Sequence, residues 1–202
     1  MKLLFAVIRL VVAVGAIVAI VATFFDTASR TAINPFNFFG FFTMQANIII
    51  TVALLVAAFA TFAGRAQTPG LVLLRACATT YIAVVGIVYN TLLTGLEGGV
   101  SLEWANTVLH VVLPIYAVAD WILFGDRTAV PWKKLWLVVI YPIVWVVVVL
   151  FRGATDGWVP YPFLDPAQGY GVVALYCVAI AVATLVVAVG VWALSRVRIL
   201  KP

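Results

Sequence analysis

The sequence predicts an all-α fold: a polytopic membrane bundle of six transmembrane helices, forming one integral domain over residues 1–202, with N- and C-termini cytoplasmic. Of the 202 residues, 66% are hydrophobic and only 9% are charged, and a soluble domain of this length cannot bury so much apolar surface. Apolar windows of about 20 residues, the length that a helix needs to cross the hydrocarbon core, recur six times. Gly and Pro are spread along the chain, which indicates a single domain.

The windows are separated by segments rich in Gly, Pro, Asp, Asn, Lys or Arg, residues that end helices. The predicted spans are about Leu3–Phe25, Asn37–Ala63, Gly70–Leu93, Trp104–Phe124, Trp132–Phe151 and Tyr170–Ser195. The first span has basic residues near its start, like a signal peptide, but its apolar run is long enough to cross a bilayer. We therefore interpret it as the first helix.

Lys and Arg residues predict the orientation, because cytoplasmic loops carry the excess of positive charge. With the N-terminus inside, only Arg30 and Arg152 are outside. The basic residues predicted on the cytoplasmic side are Lys2, Arg9, Arg65, Arg75, Arg127, Lys133, Lys134, Arg196, Arg198 and Lys201. The acidic residues predicted outside are Asp26, Glu97, Glu103, Asp156 and Asp165. The net charge of +5 thus follows from topology and does not indicate a nucleic-acid partner.

The two cysteines give no sign of redox chemistry. Cys77 is predicted near the cytoplasmic end of the third span and Cys177 near the outer end of the sixth. Their depths differ by roughly 10 Å or more, which exceeds the reach of a disulfide. Both are expected to be small apolar packing residues.

Two polar residues are predicted at the same depth in different spans. Thr43 lies six residues after Asn37, where the second span enters from outside, and His110 lies six residues after Trp104, where the fourth enters. At 1.5 Å per residue both are about 9 Å below the outer boundary. The hydroxyl and the imidazole meet if these helices face each other.

Other polar side chains are predicted in or next to this layer: Asn47, Asn90, Asn106 and Tyr176. Taken singly, Thr, Asn and Tyr often only join neighbouring membrane helices by hydrogen bonds. His110 differs because it is the only histidine and can exchange a proton near neutral pH. One histidine cannot ligate two haems or supply the usual zinc set, so we expect no metal and no cofactor. A histidine beside a hydroxyl suggests a base and a nucleophile.

Three segments resemble the androgen-induced-protein family, which includes the androgen-dependent TFPI-regulating protein and has a bacterial six-span branch. The matching text spans most of the chain. It comprises NFFGFFTMQAN at 37–47, HVVLP at 110–114 continuing to ADW at 119–121, and RG at 152–153 with YPFLD at 161–165. Ala46 departs from the bacterial pattern, in which Ser is expected.

The resemblance implies an intramembrane threonine hydrolase, since animal members are described as cleaving fatty acid esters of hydroxy fatty acids with a Thr and a His. By motif, the catalytic roles fall on Thr43 and His110: the imidazole takes the hydroxyl proton and the oxygen attacks the ester. A lipid ester substrate, contact with membrane lipids and a bacterial inner (plasma) membrane location follow as expectations. Candidate oxyanion or substrate contacts are Asn47, Asn90, Asn106 and Tyr176.

Two further features have more than one interpretation. As an acidic residue, Asp120 is a candidate to orient His110, but it lies about 15 Å away along the fourth span. We therefore expect Asp120 to be a helix-end residue paired with Arg127 or Lys133. The segment Arg152–Gly169 is long and contains aromatic residues and three prolines. It either roofs the polar layer or is an ordinary interfacial loop.

A second class of function stays open, a non-enzymatic lipid-binding protein or small-ligand transporter that uses the polar layer as its binding site. Transporters more often show paired broken helices or charge near the membrane midplane, and neither is clear here. The hydrolase predicts an apolar cavity that touches Thr43, with Thr43 and His110 about 3–5 Å apart. The sequence indicates no oligomeric state.

Overall fold

The computed structural model describes residues 1–94 and 102–200. In that part of the chain, six helices are long and apolar enough to cross a membrane, which confirms the predicted all-α bundle of six spans. They are α1 (Lys2–Arg30), α2 (Phe42–Phe62), α3 (Pro69–Leu93), α4 (Glu103–Leu123), α5 (Trp132–Thr155) and α6 (Tyr170–Leu194). Glu97, predicted on the outer side, lies outside the described residues.

Local sequence explains where two of these helices begin. The Thr68 side chain accepts a hydrogen bond from the Leu71 amide at 3.2 Å, and Pro69 follows at the first helical position. A hydroxyl cap and a proline both favour a helix start. Before α6, Gly169 has a φ of +87°, a conformation that glycine adopts without steric cost.

Helix α2 begins later than the sequence predicts, at Phe42 rather than Asn37. Asn37 belongs instead to a separate helical turn, Pro35–Phe38, which the Asn34 side chain caps by accepting from the Phe36 amide. The chain then turns at Gly40, and the next residue is extended. Thr43 is therefore in the first turn of α2, and the depth argument that placed it six residues into the span is wrong.

The chain termini meet at one end of the bundle. The Phe5 ring near the start of α1 stacks on the Phe124 ring after α4, with centroids 3.9 Å apart. The Gly125 amide donates to the Leu200 carbonyl at 2.9 Å. We call this the termini end; Thr43 lies at the other, the Thr43 end.

Helix α3 is the centre of the bundle and packs against α2, α4 and α6. In its apolar window 61% of residues are buried, against 11% for α5 and 17% for α6. Helices α5 and α6 therefore present most of their apolar side chains to the surroundings, as lipid-facing helices do.

Helices α1 and α2 pack closely because small residues line their interface. Ala13, Ala16 and Ala19 of α1 are buried, as are Ala46 and Ala53 of α2. Small side chains let membrane helices approach closely. Ala46, where the family resemblance leads us to expect Ser, thus lies in the packed core and is fully buried.

A cluster of four charged side chains lies near the termini end. Arg9 of α1 donates to Asp120 of α4 at 2.7 Å, and Arg75 of α3 donates to the other oxygen of Asp120 at 2.5 Å. Asp126, after α4, also accepts from both arginines, at 3.0 and 3.3 Å. The charge cluster (Arg9, Arg75, Asp120 and Asp126) joins three helices and is electrically balanced.

The expected pairing of Asp120 with Arg127 or Lys133 is wrong. Asp120 points between α1 and α3, and both of its oxygens are used by Arg9 and Arg75. Arg127 instead donates to the Leu194 carbonyl at 2.9 Å and lies 4.4 Å over the Trp121 ring. Arg9 and Arg75, which the orientation rule counted on the cytoplasmic side, are buried inside the bundle.

Asp126 is held ionised by this arrangement. Burial by itself raises the pKa of Asp126, but the hydrogen bond from Arg9 and the charges of Arg75 and Arg9 more than offset it. The net result is a pKa below the usual range of a carboxyl group.

Candidate functional site

A cavity of about 380 Å³ lies towards the Thr43 end, between α3, α5, α6 and the connection from α5 to α6. This volume falls within the range of about 300–1,000 Å³ that is typical of small-molecule sites. The apolar side chains that line it from three helices include Val84, Val85, Val88, Leu93, Val139, Pro142, Ile143, Val146, Ile180, Ala181 and Leu185. Thr43 also lines it, so the expected apolar cavity beside Thr43 is present.

The Thr43 hydroxyl is paired with Tyr161, which the sequence analysis placed in a matching segment but not among the site residues. Tyr161 places its hydroxyl oxygen 3.2 Å from Thr43 Oγ1, and the same oxygen accepts the Thr43 backbone N–H at 3.1 Å. The N–H groups of a first helical turn have no partner within the helix, and Phe41 at the N-cap supplies no side-chain acceptor. The Tyr161 phenol oxygen supplies the missing acceptor for the Thr43 N–H.

Tyr161 reaches Thr43 because the connection between α5 and α6 folds over the cavity. We call residues Asp156–Gly169 the roof segment. Within it, Tyr161, Phe163 and Leu164 are buried and line the cavity, and the rings of Tyr161 and Phe163 stack with centroids 5.2 Å apart. Of the two interpretations of this connection, the roof is the one that the structure supports.

Two contacts hold the roof segment against the residues before α2: one is made by Arg152 and the other by Trp158. Arg152 donates to the Asn37 side chain at 2.8 Å and lies 4.3 Å over the Trp158 ring. Trp158 in turn packs against Gly40 so closely that no side chain fits between them. The segments at 37–47 and 152–165 are therefore in contact.

Replacing Gly40 with alanine should loosen the roof segment. A Cβ at this position would lie 2.6 Å from the Trp158 ring and 2.7 Å from the Phe36 carbonyl oxygen. Overpacking of this kind costs about 1–3 kcal/mol, so Gly40→Ala should lower the melting temperature and speed proteolysis within the roof segment. Gly171→Ala is the control, because nothing lies within 4 Å of its Cβ; equal proteolysis of both variants would contradict the contact.

His110 is buried in α4, and its hydrogen bonding fixes the tautomer. Nδ1 lies 3.1 Å from the Asn106 backbone carbonyl oxygen. A carbonyl only accepts, so Nδ1 carries a hydrogen, and in the neutral imidazole the lone pair is therefore on Nε2. No hydrogen bond joins Nε2 to any residue in the described part of the chain. The imidazole also stacks on Tyr89, with ring centroids 3.9 Å apart.

Both aromatic partners lie on short π-helical turns. Tyr89 begins one at Tyr89–Leu93 in α3, and His110 lies within another at Val108–Val112 in α4. Pro114 follows the second and cannot donate to the His110 carbonyl four residues earlier. Single π-helical turns occur frequently at functional sites.

The structure brings part of the predicted polar layer together around His110. Asn106 donates to the Tyr89 hydroxyl at 2.5 Å, and the Asn90 side-chain amide lies 3.4 Å from the His110 carbonyl oxygen. Asn90 also donates to the Gly86 carbonyl at 2.7 Å. These amides are used within the bundle and are not directed at the Thr43 hydroxyl.

The other two candidate contacts lie apart from this group. Asn47 is fully buried and donates to the Thr43 carbonyl at 2.8 Å, while its side-chain oxygen has no partner among the described residues. Tyr176 is half-buried, with its ring 5.7 Å from Phe163 of the roof segment.

Thr43 and His110 are not directly hydrogen-bonded in the described structure. Thr43 is paired with Tyr161, and His110 is not among the described residues that line the cavity. Tyr89 links the two regions, since it stacks on His110 and also lines the cavity. Catalytic hydrogen bonds are often long or poorly aligned before substrate binds.

A metal centre is not built by the described residues, where no three His, Cys, Asp or Glu side chains come together. The buried carboxylates of the charge cluster are occupied by arginines. The Thr43 region offers hydroxyl, phenol and amide groups beside a mostly apolar cavity, with the His110 imidazole nearby.

Comparison with known proteins yields no match: no family model, no curated protein and no solved structure corresponds to this chain.

Proposed function

We propose that this protein is an intramembrane threonine hydrolase that cleaves lipid esters such as fatty acid esters of hydroxy fatty acids. The observation that carries the proposal is that Thr43 borders a mostly apolar cavity and that its hydroxyl is paired there with Tyr161. A lipid ester needs such a site, since its acyl chain requires apolar walls and its carbonyl requires polar groups at one point. The resemblance of 37–47 and 110–114 to the androgen-induced-protein family adds support.

We further propose that the termini end is cytoplasmic and that the protein resides in a bacterial plasma membrane. The excess of Lys and Arg on that side supports this orientation. It places the Thr43 end and the roof segment on the outer side, where the cavity is level with the outer leaflet.

In the proposed reaction, Thr43 Oγ1 gives its proton to His110 Nε2 and bonds to the ester carbonyl carbon. The carbon–oxygen bond to the alcohol then breaks, and the leaving alcohol takes the proton from His110. A water molecule next gives a proton to His110 and attacks the acyl-threonine. The bond between the acyl carbon and Thr43 Oγ1 then breaks, Oγ1 takes the proton back from His110, and the fatty acid leaves.

The tautomer of His110 supports its role as the base. Its Nδ1–H is directed at the Asn106 carbonyl, 3.1 Å away, so the lone pair needed for proton transfer is on Nε2. The mechanism requires the imidazole and the Thr43 hydroxyl to come together, directly or through one water, once substrate is bound.

Tyr161 is proposed as a donor to the oxyanion that forms on the ester oxygen. Burial raises the pKa of the Tyr161 phenol, so it stays protonated at neutral pH and can donate. The Thr43 backbone N–H, 3.1 Å from the phenol oxygen, is the second donor. A substrate oxygen that replaces the phenol oxygen at this amide would be held by both groups.

Replacing Tyr161 with phenylalanine should lower kcat while the ring still packs in the roof segment. Loss of one oxyanion donor typically costs about 10²–10³ in kcat, with a smaller change in KM because the acyl cavity is kept. Tyr170→Phe, at an exposed position outside the site, is the control. A Tyr161→Phe enzyme with the wild-type kcat would remove Tyr161 from the reaction.

The proposed activity is tested with purified protein in lipid nanodiscs and a fatty acid ester of a hydroxy fatty acid. We expect release of free fatty acid above that of empty nanodiscs.

One observation favours a second candidate, a lipid-binding protein without turnover: the Thr43 hydroxyl is paired with Tyr161 rather than with His110. Binding of fatty acid without any ester hydrolysis would replace the hydrolase with that candidate.

A further inference from the structure

The cavity is bordered by side chains that also face away from the bundle. Ile143 of α5 and Leu185 of α6 both line it, yet they are 55% and 41% exposed. These two helices are also the least buried of the six. The surroundings of such apolar helices are lipid hydrocarbon, so the seam between α5 and α6 connects the cavity with the membrane interior.

The cavity is long rather than round. Its lining extends from Val84 to Leu93 along α3 and from Cys177 to Leu185 along α6, which at 1.5 Å per residue is about 12–14 Å. The roof segment and Thr43 are at one end of this length, and Leu185 is at the other.

Polar groups are concentrated at the Thr43 end of the cavity. Thr184, at the far end, donates its hydroxyl to the Ile180 carbonyl of its own helix at 2.7 Å, so it offers little to a ligand. An occupant therefore has a polar group near Thr43 and a long apolar part that points along α6.

We propose that the cavity holds one acyl chain of a membrane lipid ester, which enters sideways from the bilayer between α5 and α6. An extended acyl chain advances about 1.3 Å per carbon, so a length of about 12–14 Å encloses about ten carbons. Longer chains extend through the seam into the lipid. This inference takes from the proposed function only the position of the ester carbonyl at Thr43; the acyl site itself requires no turnover.

The test is photo-crosslinking in nanodiscs with a palmitic acid that carries a diazirine at its ninth or tenth carbon, and with its ester to a hydroxy fatty acid. We expect saturable cross-links to cavity residues such as Ile143 and Leu185, exceeding those to the outward-facing Val186. The same pattern with both probes assigns the site to the acyl chain. Non-saturable labelling that favours Val186 would overturn the proposal.

Two matched variants of α6 sharpen the test. Ala181 and Ala179 are both exposed, but only Ala181 lines the cavity. Ala181→Phe should reduce cavity cross-links at least tenfold, and Ala179→Phe should leave them unchanged. If Ala181→Phe fails to fold by size-exclusion chromatography, Ala181→Val should still reduce them. Equal cross-linking in the Ala181 and Ala179 variants would overturn the proposal.

The experiments can overturn the proposed acyl site and the proposed hydrolase activity independently of each other. Cavity cross-links in wild type and in Thr43→Ala, without hydrolysis by the wild type, would keep the acyl site and overturn the enzyme. Hydrolysis that depends on Thr43, with equal cross-linking in the Ala181 and Ala179 variants, would keep the enzyme and overturn the acyl site.

Discussion

Replacing Asp120 with alanine should destabilise the protein more than any other single change to a charged residue. The substitution leaves Arg9 and Arg75 inside the bundle with only Asp126 to balance them. Breaking a buried ion pair by removing one partner costs about 3–5 kcal/mol. At about 2–4 °C per kcal/mol for a chain of this size, the melting temperature should fall by about 10 °C. Size-exclusion chromatography of detergent-solubilised protein after heating, followed by tryptophan fluorescence, measures it.

Two further variants show whether charge balance is the cause. Glu103→Ala changes an exposed acidic residue of the same helix and should have a much smaller effect. Arg75→Ala combined with Asp120→Ala removes one charge of each sign and leaves Arg9 paired with Asp126, so the double variant should be more stable than the sum of the single effects predicts. Additive losses would show that the cluster does not act as a balanced unit.

Thr43→Ala and His110→Ala should each abolish nearly all lipid ester hydrolysis. The nucleophile and its base act as one unit, so the double variant should be little worse than either single variant. Thr43→Ser should keep part of the rate, because it retains a hydroxyl on the same backbone. Release of fatty acid from a fatty acid ester of a hydroxy fatty acid, assayed in nanodiscs, provides the rates.

Thr51→Ala is the matched control for this prediction. Thr51 is a buried threonine two turns further along α2, and its hydroxyl donates to the Asn47 carbonyl at 2.7 Å. Its loss should leave the rate unchanged if the effect is specific to Thr43. Wild-type hydrolysis by folded Thr43→Ala would exclude Thr43 as nucleophile, and wild-type hydrolysis by His110→Ala would exclude the base.

The helical spans could be predicted from sequence because each is a local property of about 20 consecutive residues. The residue at which α2 begins could not be predicted in this way. The run from Asn37 to Ala63 is apolar throughout, but Asn34 and Pro35 open a separate turn and the chain bends at Gly40. At this bend Gly40 packs against Trp158, a residue distant in the sequence, so the contact cannot be seen in the local sequence.

The charge cluster was missed for a similar reason. Arg9 and Asp120 are 111 residues apart, and the rule that assigns basic residues to cytoplasmic loops gives no information on pairing within the bundle. Proximity to the helix end suggested Arg127 instead. The contact became visible only when the packing of α1, α3 and α4 was known.

The candidate site was predicted in part. Equal spacing pointed to Thr43 and His110, and the polar residues around His110 do come together. Tyr161 was not identified as a site residue, because the reach of a loop over a cavity depends on how the loop folds. Its signals were the aromatic and proline-rich composition of the connection from α5 to α6 and the place of Tyr161 at the start of the YPFLD segment.

The most direct test of the central claim is covalent trapping of the nucleophile with a fluorophosphonate that carries an alkyl chain, followed by peptide mass spectrometry. The account predicts one adduct on Thr43 that is absent in Thr43→Ala, kept in Thr51→Ala and formed far more slowly in His110→Ala. An adduct that maps to another residue, or persistent ester hydrolysis by protein in which Thr43 is never modified, would contradict it.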